Sequence, residues 1–309
     1  MRRDILHRAG SFALALVLLA GAAMATGAAG VHAKADKAGA LPVKQAVKTG
    51  VTVHSNTKAS VDASNLSEGY VLVKYTGGKD VRIKVQITKT GGETYTYDLN
   101  NKGNMETFPL TEGDGTYSIN VYENTIDTKY VTALACSVDL KLRNDFLPFL
   151  YANQYVNFDA DSLVTSTASL MLADQTTDLA KVQTVFDYVV DNFTYDYDKA
   201  KTVQSGYLPD VDAILQSRKG ICFDYAAVMA AMLRGQNIPC KLVVGYAGDI
   251  YHAWLNVYIE GVGWVDKVIY FDGQDWTLMD PTFTSSGKRS DAIMKYVTDE
   301  KNYSQKYAY

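Results

Sequence analysis

The strongest constraint on the fold is a change of hydrophobic period near Asn144. Before it, apolar residues recur at every second position: Val81, Ile83, Val85 and Ile87 alternate with Arg82, Lys84 and Gln86, which puts four apolar side chains on one face of a strand. Similar runs at Tyr70 to Tyr75, Thr94 to Tyr97, Met105 to Leu110, Tyr117 to Tyr122 and Tyr130 to Leu142 are separated by turn signals such as Gly77-Gly78, Gly91-Gly92 and Gly113-Asp114-Gly115. This spacing predicts an antiparallel sandwich of about seven strands over residues 51–143. After Asn144 the period lengthens. Leu179, Val182, Phe186, Val189 and Phe193 share one helical face, with Asp178 as the expected N-cap. Further helices are expected at Ser162 to Leu172, Asp210 to Gln216 and Cys222 to Arg234, the last stopped by Gly235. Strands then follow at Lys241 to Ala247, His252 to Ile259, Trp264 to Phe271 and Trp276 to Met279. Helices first and an antiparallel sheet afterwards is an α+β arrangement.

The 309 residues allow roughly two domains of about 150 residues, and 47% hydrophobic with 21% charged residues excludes a disordered or fibrous chain. Residues 1–33 have the layout of a secretory signal. A basic stretch (Met1 to Arg8) precedes an uncharged apolar run, Phe12 to Met24, and then small residues that offer cleavage at Ala23-Met24-Ala25 or Val31-His32-Ala33. The apolar run is shorter than the about 20 residues a spanning helix needs, so cleavage is expected rather than anchoring. Arg2, Arg3 and Arg8 against Asp4 give this segment +2, so its removal takes the net charge from -4 to -6. No clustered basic surface speaks for nucleic acid. The expected location is therefore secreted or cell-surface, with no membrane association once the signal is gone. Residues 34–50, rich in Lys and Ala, read as a linker.

Cys136, Cys222 and Cys240 are an odd and sparse set for an exported chain, which argues against a disulfide scaffold. Cys136 shares parity with Val138 and Leu140, and Cys240 with Leu242 and Val244, so both read as core. Cys222 differs. It opens a helix just after Arg218 and Lys219, where unpaired N–H groups, the helix dipole and two cations favour a thiolate. Outside the signal only His54 and His252 remain, and His252 starts a strand in Tyr251-His252-Ala253-Trp254. Asp280 ends a later strand, held extended by Pro281. Each alone also fits a structural role. Together they supply a nucleophile, a base and an orienting carboxylate. These three side chains together with Cys240 show no Cys-x-x-Cys or paired-histidine spacing, so no metal site is expected.

In this order the sequence resembles the transglutaminase-like superfamily, whose core is a variant of the papain-like cysteine fold. The resemblance rests on Gly220-Ile221-Cys222-Phe223-Asp224-Tyr225-Ala226, Leu233-Arg234, Ile238-Pro239 before Val243-Val244-Gly245-Tyr246, His252-Ala253-Trp254 and Asp280-Pro281-Thr282, within about Asn192 to Phe283. It implies Cys222 as nucleophile, His252 as base and Asp280 as orienting acid, in preference to Asp266 or Asp275. The backbone N–H of Cys222 is one expected oxyanion donor and Tyr195 the second. Trp254 is placed to shield the ion pair and border a substrate groove.

The reading is thus an immunoglobulin-like sandwich (51–143) followed by a transglutaminase-like domain (144–309), each long enough to bury its own core. The implied reaction is acyl transfer through a thioester from a peptide, isopeptide or glutamine amide of a protein or peptide substrate, with hydrolysis favoured over amine transfer. No cofactor is implied, and no Asp-x-Asp-x-Asp-Gly calcium loop occurs. The alternative is a catalytically silent binding or adhesion module at the cell surface.

Overall fold

The alternation before Asn144 builds two four-stranded antiparallel sheets. In the computed structural model, which describes residues 43–265, 269–271, 276–278 and 303–309, β1 (Val53–Ser55), β2 (Ala59–Asp62), β3 (Tyr70–Tyr75) and β6 (Glu106–Pro109) form one sheet in the order β1-β2-β3-β6. The other, β5-β4-β7-β8, contains β4 (Ile83–Lys89), β5 (Thr94–Leu99), β7 (Gly115–Ile126) and β8 (Lys129–Leu140). Ile83, Val85 and Ile87 are buried on β4, and Tyr117, Ile119 and Val121 on β7, as a period of two demands. Glu123 continues that inward parity and is 1% exposed. It is held by Lys58 and Lys79, at 2.8 and 2.6 Å, and by the Tyr75 hydroxyl at 2.8 Å. The described part of the 34–50 segment has no regular structure but is tied down. Gln45 donates to the Phe158 carbonyl and the Val47 N–H to the Tyr70 hydroxyl.

After Asn144 come α1 (Leu163–Met171), α2 (Asp178–Asn192), β9 (Thr194–Tyr195), α3 (Tyr197–Thr202), α4 (Val211–Ser217), β10 (Lys219–Gly220) and α5 (Cys222–Arg234). The N-cap of α2 is Thr177, whose hydroxyl accepts the Ala180 N–H at 3.2 Å, and Asp178 is the first helical residue instead. Asp178 still sits where a negative charge favours the helix dipole. Gly235 keeps right-handed geometry at φ -59, and the left-handed turn falls two residues later, at Asn237 (φ 59).

The remaining strands are β11 (Cys240–Ala247), β12 (Ile250–Ile259), β13 (Gly263–Val265), β14 (Ile269–Phe271), β15 (Trp276–Leu278) and β16 (Tyr303–Ala308). The single expected strand from Trp264 to Phe271 is two, β13 on the main sheet and β14 paired with β15. The main sheet runs β13-β12-β11-β16 and is antiparallel throughout. Helix α5 lies between this sheet and α1, α2 and α4. Every residue from Asp224 to Arg234 is buried, which fits a sequence that is small or apolar all round the helix. The arrangement is α+β, a mixed fold with a sheet-rich first half.

The two halves share one apolar cluster. Tyr95 and Tyr97 of β5 pack on Tyr309 at ring distances of 5.5 and 5.8 Å, and Tyr97 on Tyr155 at 5.9 Å. Thr111 donates to the Ala308 carbonyl, and the Tyr95 hydroxyl accepts the Ala308 N–H. At the other end of α5, the buried Arg234 donates to the carbonyls of Cys240, Tyr151 and Tyr309. Burial pulls its guanidinium down to about 10, so it stays charged at neutral pH.

Candidate active site

Helix α5 starts where it does because Ile221 is extended (φ -96, ψ 176) and the carboxylate of Asp224, three residues on, accepts the Ile221 N–H at 2.8 Å. Cys222 is then the first helical residue, where backbone N–H groups have no intrahelical acceptor and the dipole favours an anion. The turn is tight. A Cβ on Gly220 would lie 2.6 Å from the Asp224 Cβ, so no other residue fits there without displacing that carboxylate. Gly220 also pairs with Tyr195 in the parallel β9–β10 ladder, which sets Tyr195 beside the start of the helix.

Asp224 is 0% exposed and fully engaged. Lys199 of α3 donates to its Oδ2 and the Tyr207 hydroxyl to its Oδ1, both at 2.6 Å. The Lys199 ammonium also donates to the Tyr207 oxygen at 2.6 Å and lies 4.3 Å from that ring's centroid. Burial and the Asp224 charge push the Tyr207 phenol far above its ordinary value and keep it a donor. Sequence reasoning missed this cluster. Its one local signal is an aspartate three residues after the N-cap.

His252 arrives from β12, where it stands opposite Gly245 of β11 and is 5% exposed. It and Cys222 line the same cavity, of about 430 Å³. Tyr195 and Tyr207 border the cavity near the helix start, while Tyr155, Tyr251 and Tyr309 come from distant parts of the chain. Tyr195 is half-buried and its ring packs T-shaped on Tyr197 at 5.0 Å. Trp254 lies on the same strand as His252. It is 2% exposed, stacks beside His252 with ring centroids 6.5 Å apart, and packs edge-on against Tyr303 at 5.4 Å. Two residues on from His252 and on the same face of β12, its indole stands next to the imidazole. Asp280 lies outside the described residues.

The other thiols are differently placed. Cys240 is fully buried, donates to the Ile238 carbonyl, and is pushed up to about 12 by burial. Cys136 is half-buried in β8 and is likewise pushed up by burial, to about 11. His54 pairs with Val61 at the edge of the first sheet. Among the described residues no group of three or more His, Cys, Asp or Glu side chains is placed to hold a metal ion, and no helix is long and apolar enough to cross a membrane.

Residues 165–267 match the family model of the transglutaminase-like superfamily. This stretch is a transglutaminase-like domain. It contains Tyr195, Cys222, His252 and Trp254 and stops short of Asp280. Curated relatives share it. The uncharacterized protein YebA of Bacillus subtilis is 28% identical over 149 residues, which is 41% of this chain and 20% of that protein. Kyphoscoliosis peptidase of Homo sapiens is 28% identical over 124 residues, 36% of this chain and 18% of that one. A protein-glutamine gamma-glutamyltransferase of Pseudomonas aeruginosa is 30% identical over 82 residues, 25% of this chain and 12% of that one. The matched stretch thus spans a fifth or less of each of these relatives.

Proposed function

We propose that the protein is an exported enzyme that cleaves or transfers acyl groups of protein or peptide substrates through a thioester on Cys222. The observation that carries this reading is the cavity shared by Cys222, at the positive end of a buried helix, and His252. The Cys222 thiolate attacks a carbonyl carbon and forms the C–S bond. The oxyanion that develops is met by the backbone N–H of Cys222 and by the Tyr195 hydroxyl. The His252 imidazolium gives its proton to the departing amine as the C–N bond breaks. Water, deprotonated by His252, then attacks the thioester, and carboxylate and thiolate are released. Asp280 is assigned to hold the second nitrogen of His252 and stabilise its charged form.

Hydrolysis is the favoured second step, with amine transfer the variation. The basic, then apolar, then small-residue order of residues 1–33 supports export and an activity outside the cytoplasm. The strand order of the first half, β1-β2-β3-β6 facing β5-β4-β7-β8, supports an immunoglobulin-like sandwich. The test is turnover of a mixed peptide and glutamine-amide library by the wild type and by Cys222→Ala. Loss of all turnover in the variant is expected. Turnover that survives it, or none in the wild type, would contradict the enzyme and leave a binding module.

A further inference from the structure

Apart from the Cys222–His252 pair itself, the described residues that line the cavity carry no charged side chain, in a chain that is 21% charged. No Lys, Arg, Asp or Glu is found among the described residues that line it, and its surface includes the rings of Tyr155, Tyr207, Phe223, Tyr251 and Tyr309 and the side chain of Val244. The charges beside it are paired: Asp98, next to Gly206, is held by Lys84 at 2.6 Å. Asp224 and Lys199 form an ion pair at 2.6 Å, and the hydroxyl of Tyr207 is committed to the same carboxylate. Burial pushes the phenols of Tyr155, Tyr251 and Tyr309 up, so these walls stay neutral as well. A volume of about 430 Å³ lies in the range of small-ligand pockets, about 300–1,000 Å³.

We propose that this cavity is a subsite for one uncharged apolar or aromatic side chain of a peptide, of the Phe, Tyr or Leu kind, next to the carbonyl that Cys222 attacks. Its orientation toward Cys222 rests on the acyl-transfer reading, and its selectivity does not. Burying an apolar side chain against these rings gains hydrophobic and ring–ring contact. A lysine would gain only cation–π attraction, which is smaller than the cost of stripping water from an ammonium when the carboxylate beside Gly206, that of Asp98, is already paired with Lys84. A glutamate would find no Lys or Arg among the described walls, and the one cation there, the His252 imidazolium, is the partner of Cys222. The selectivity is therefore set by the penalty on charge rather than by close shape complementarity.

The test uses the full chain with Cys222→Ala, so that binding is read without reaction. Fluorescently tagged, end-blocked peptides identical except for one residue (Phe, Leu, Gln, Lys or Glu) are titrated by anisotropy. The Phe and Leu peptides should bind at least about tenfold tighter than the Lys and Glu peptides. Equal affinities, a preference for either charged peptide, or no measurable binding of the Phe peptide would overturn the proposal. Val203 lines the cavity at its rim and is 36% exposed, so Val203→Glu is compatible with folding. It should move the Lys-to-Glu affinity ratio about tenfold toward Lys, and an unchanged ratio would show that the peptides bind elsewhere. If this binding profile holds while the wild type turns over no peptide, the reaction fails and the subsite stands. Turnover by the wild type without side-chain discrimination has the reverse meaning.

Discussion

Gly245 stands directly across the β11–β12 ladder from His252. A Cβ at that position would lie 2.0 Å from the Ser304 carbonyl oxygen and 2.9 Å from the tip of the Trp254 indole. The pairing with β16 shifts register at the same place, between Val244 and Gly245. The missing side chain therefore lets β16 and Trp254 close on the strand pair that carries the histidine. Gly245→Ala should cost about 1–3 kcal/mol in denaturant unfolding, the usual penalty for overpacking, and should lower turnover by displacing His252. Wild-type stability in the variant would show that β16 moves away freely.

Asp224 is expected to matter more for stability than its partners do. Asp224→Ala leaves the Ile221 N–H unpaired and Lys199, whose side chain is 26% exposed, without its counter-ion, at a cost of about 3 kcal/mol. Tyr207→Phe removes one hydrogen bond to the carboxylate and should cost about 1 kcal/mol. Urea unfolding of the two variants checks the ranking, which equal losses would contradict.

Glu123 makes the first half sensitive to acid. The Lys58 ammonium, then Lys79, with Tyr75 assisting, hold this carboxyl down to about 2 from an ordinary 4.5. A lowered carboxyl gives stability that is fully present above about 4.5 and is lost as the pH falls toward about 2. Glu123→Gln should therefore be less stable at pH 7, by about 2 kcal/mol, and should lose less stability than the wild type on acidification through that window. Parallel stability–pH curves for the two proteins would argue against it.

A fragment beginning at Asp145 should not behave as an independent domain, although the length of each half leads one to expect it. Removing β5 uncovers the aromatic faces of Tyr155, Tyr307 and Tyr309, which pack on Tyr95 and Tyr97 in the whole chain. The fragment is expected to aggregate or to bind a hydrophobic dye, and a monodisperse fragment with full thermal stability would show the interface to be dispensable.

Elements whose signal is local could be read from the sequence, and those made by distant residues could not. The limits of β3 and α5 were legible to the residue, because each is a clean run bounded by turn or capping chemistry. β1 and β2 were not, because three- and four-residue strands containing His, Ser and Asp carry no alternation, and β2 is buried on both faces. At the site, Cys222 is at the helix start its sequence context marks, whereas His252 is the third residue of the inner strand β12 rather than its first. Lys199 and Tyr207 were not legible, since they reach Asp224 from 25 and 17 residues away, one from α3 and the other from the loop after it, with no motif of their own. Tyr155, Tyr251 and Tyr309 likewise meet only in the folded chain. The nearness of Trp254 to the histidine follows from strand parity, while its 2% exposure depends on packing by Tyr303 from far along the chain.

The central claim is that Cys222 and His252 work as a pair, and the rate of iodoacetamide alkylation at pH 6 tests it most directly. At that pH an isolated thiol, with a pKa of about 8.5, is almost wholly protonated and slow. Wild-type Cys222 should react fast there, His252→Ala should remove that reactivity, and His54→Ala, on the edge strand β1, should not. Cys240, fully buried, should be labelled only after denaturation. Equal low-pH reactivity of Cys222 in the wild type and in His252→Ala would contradict the account.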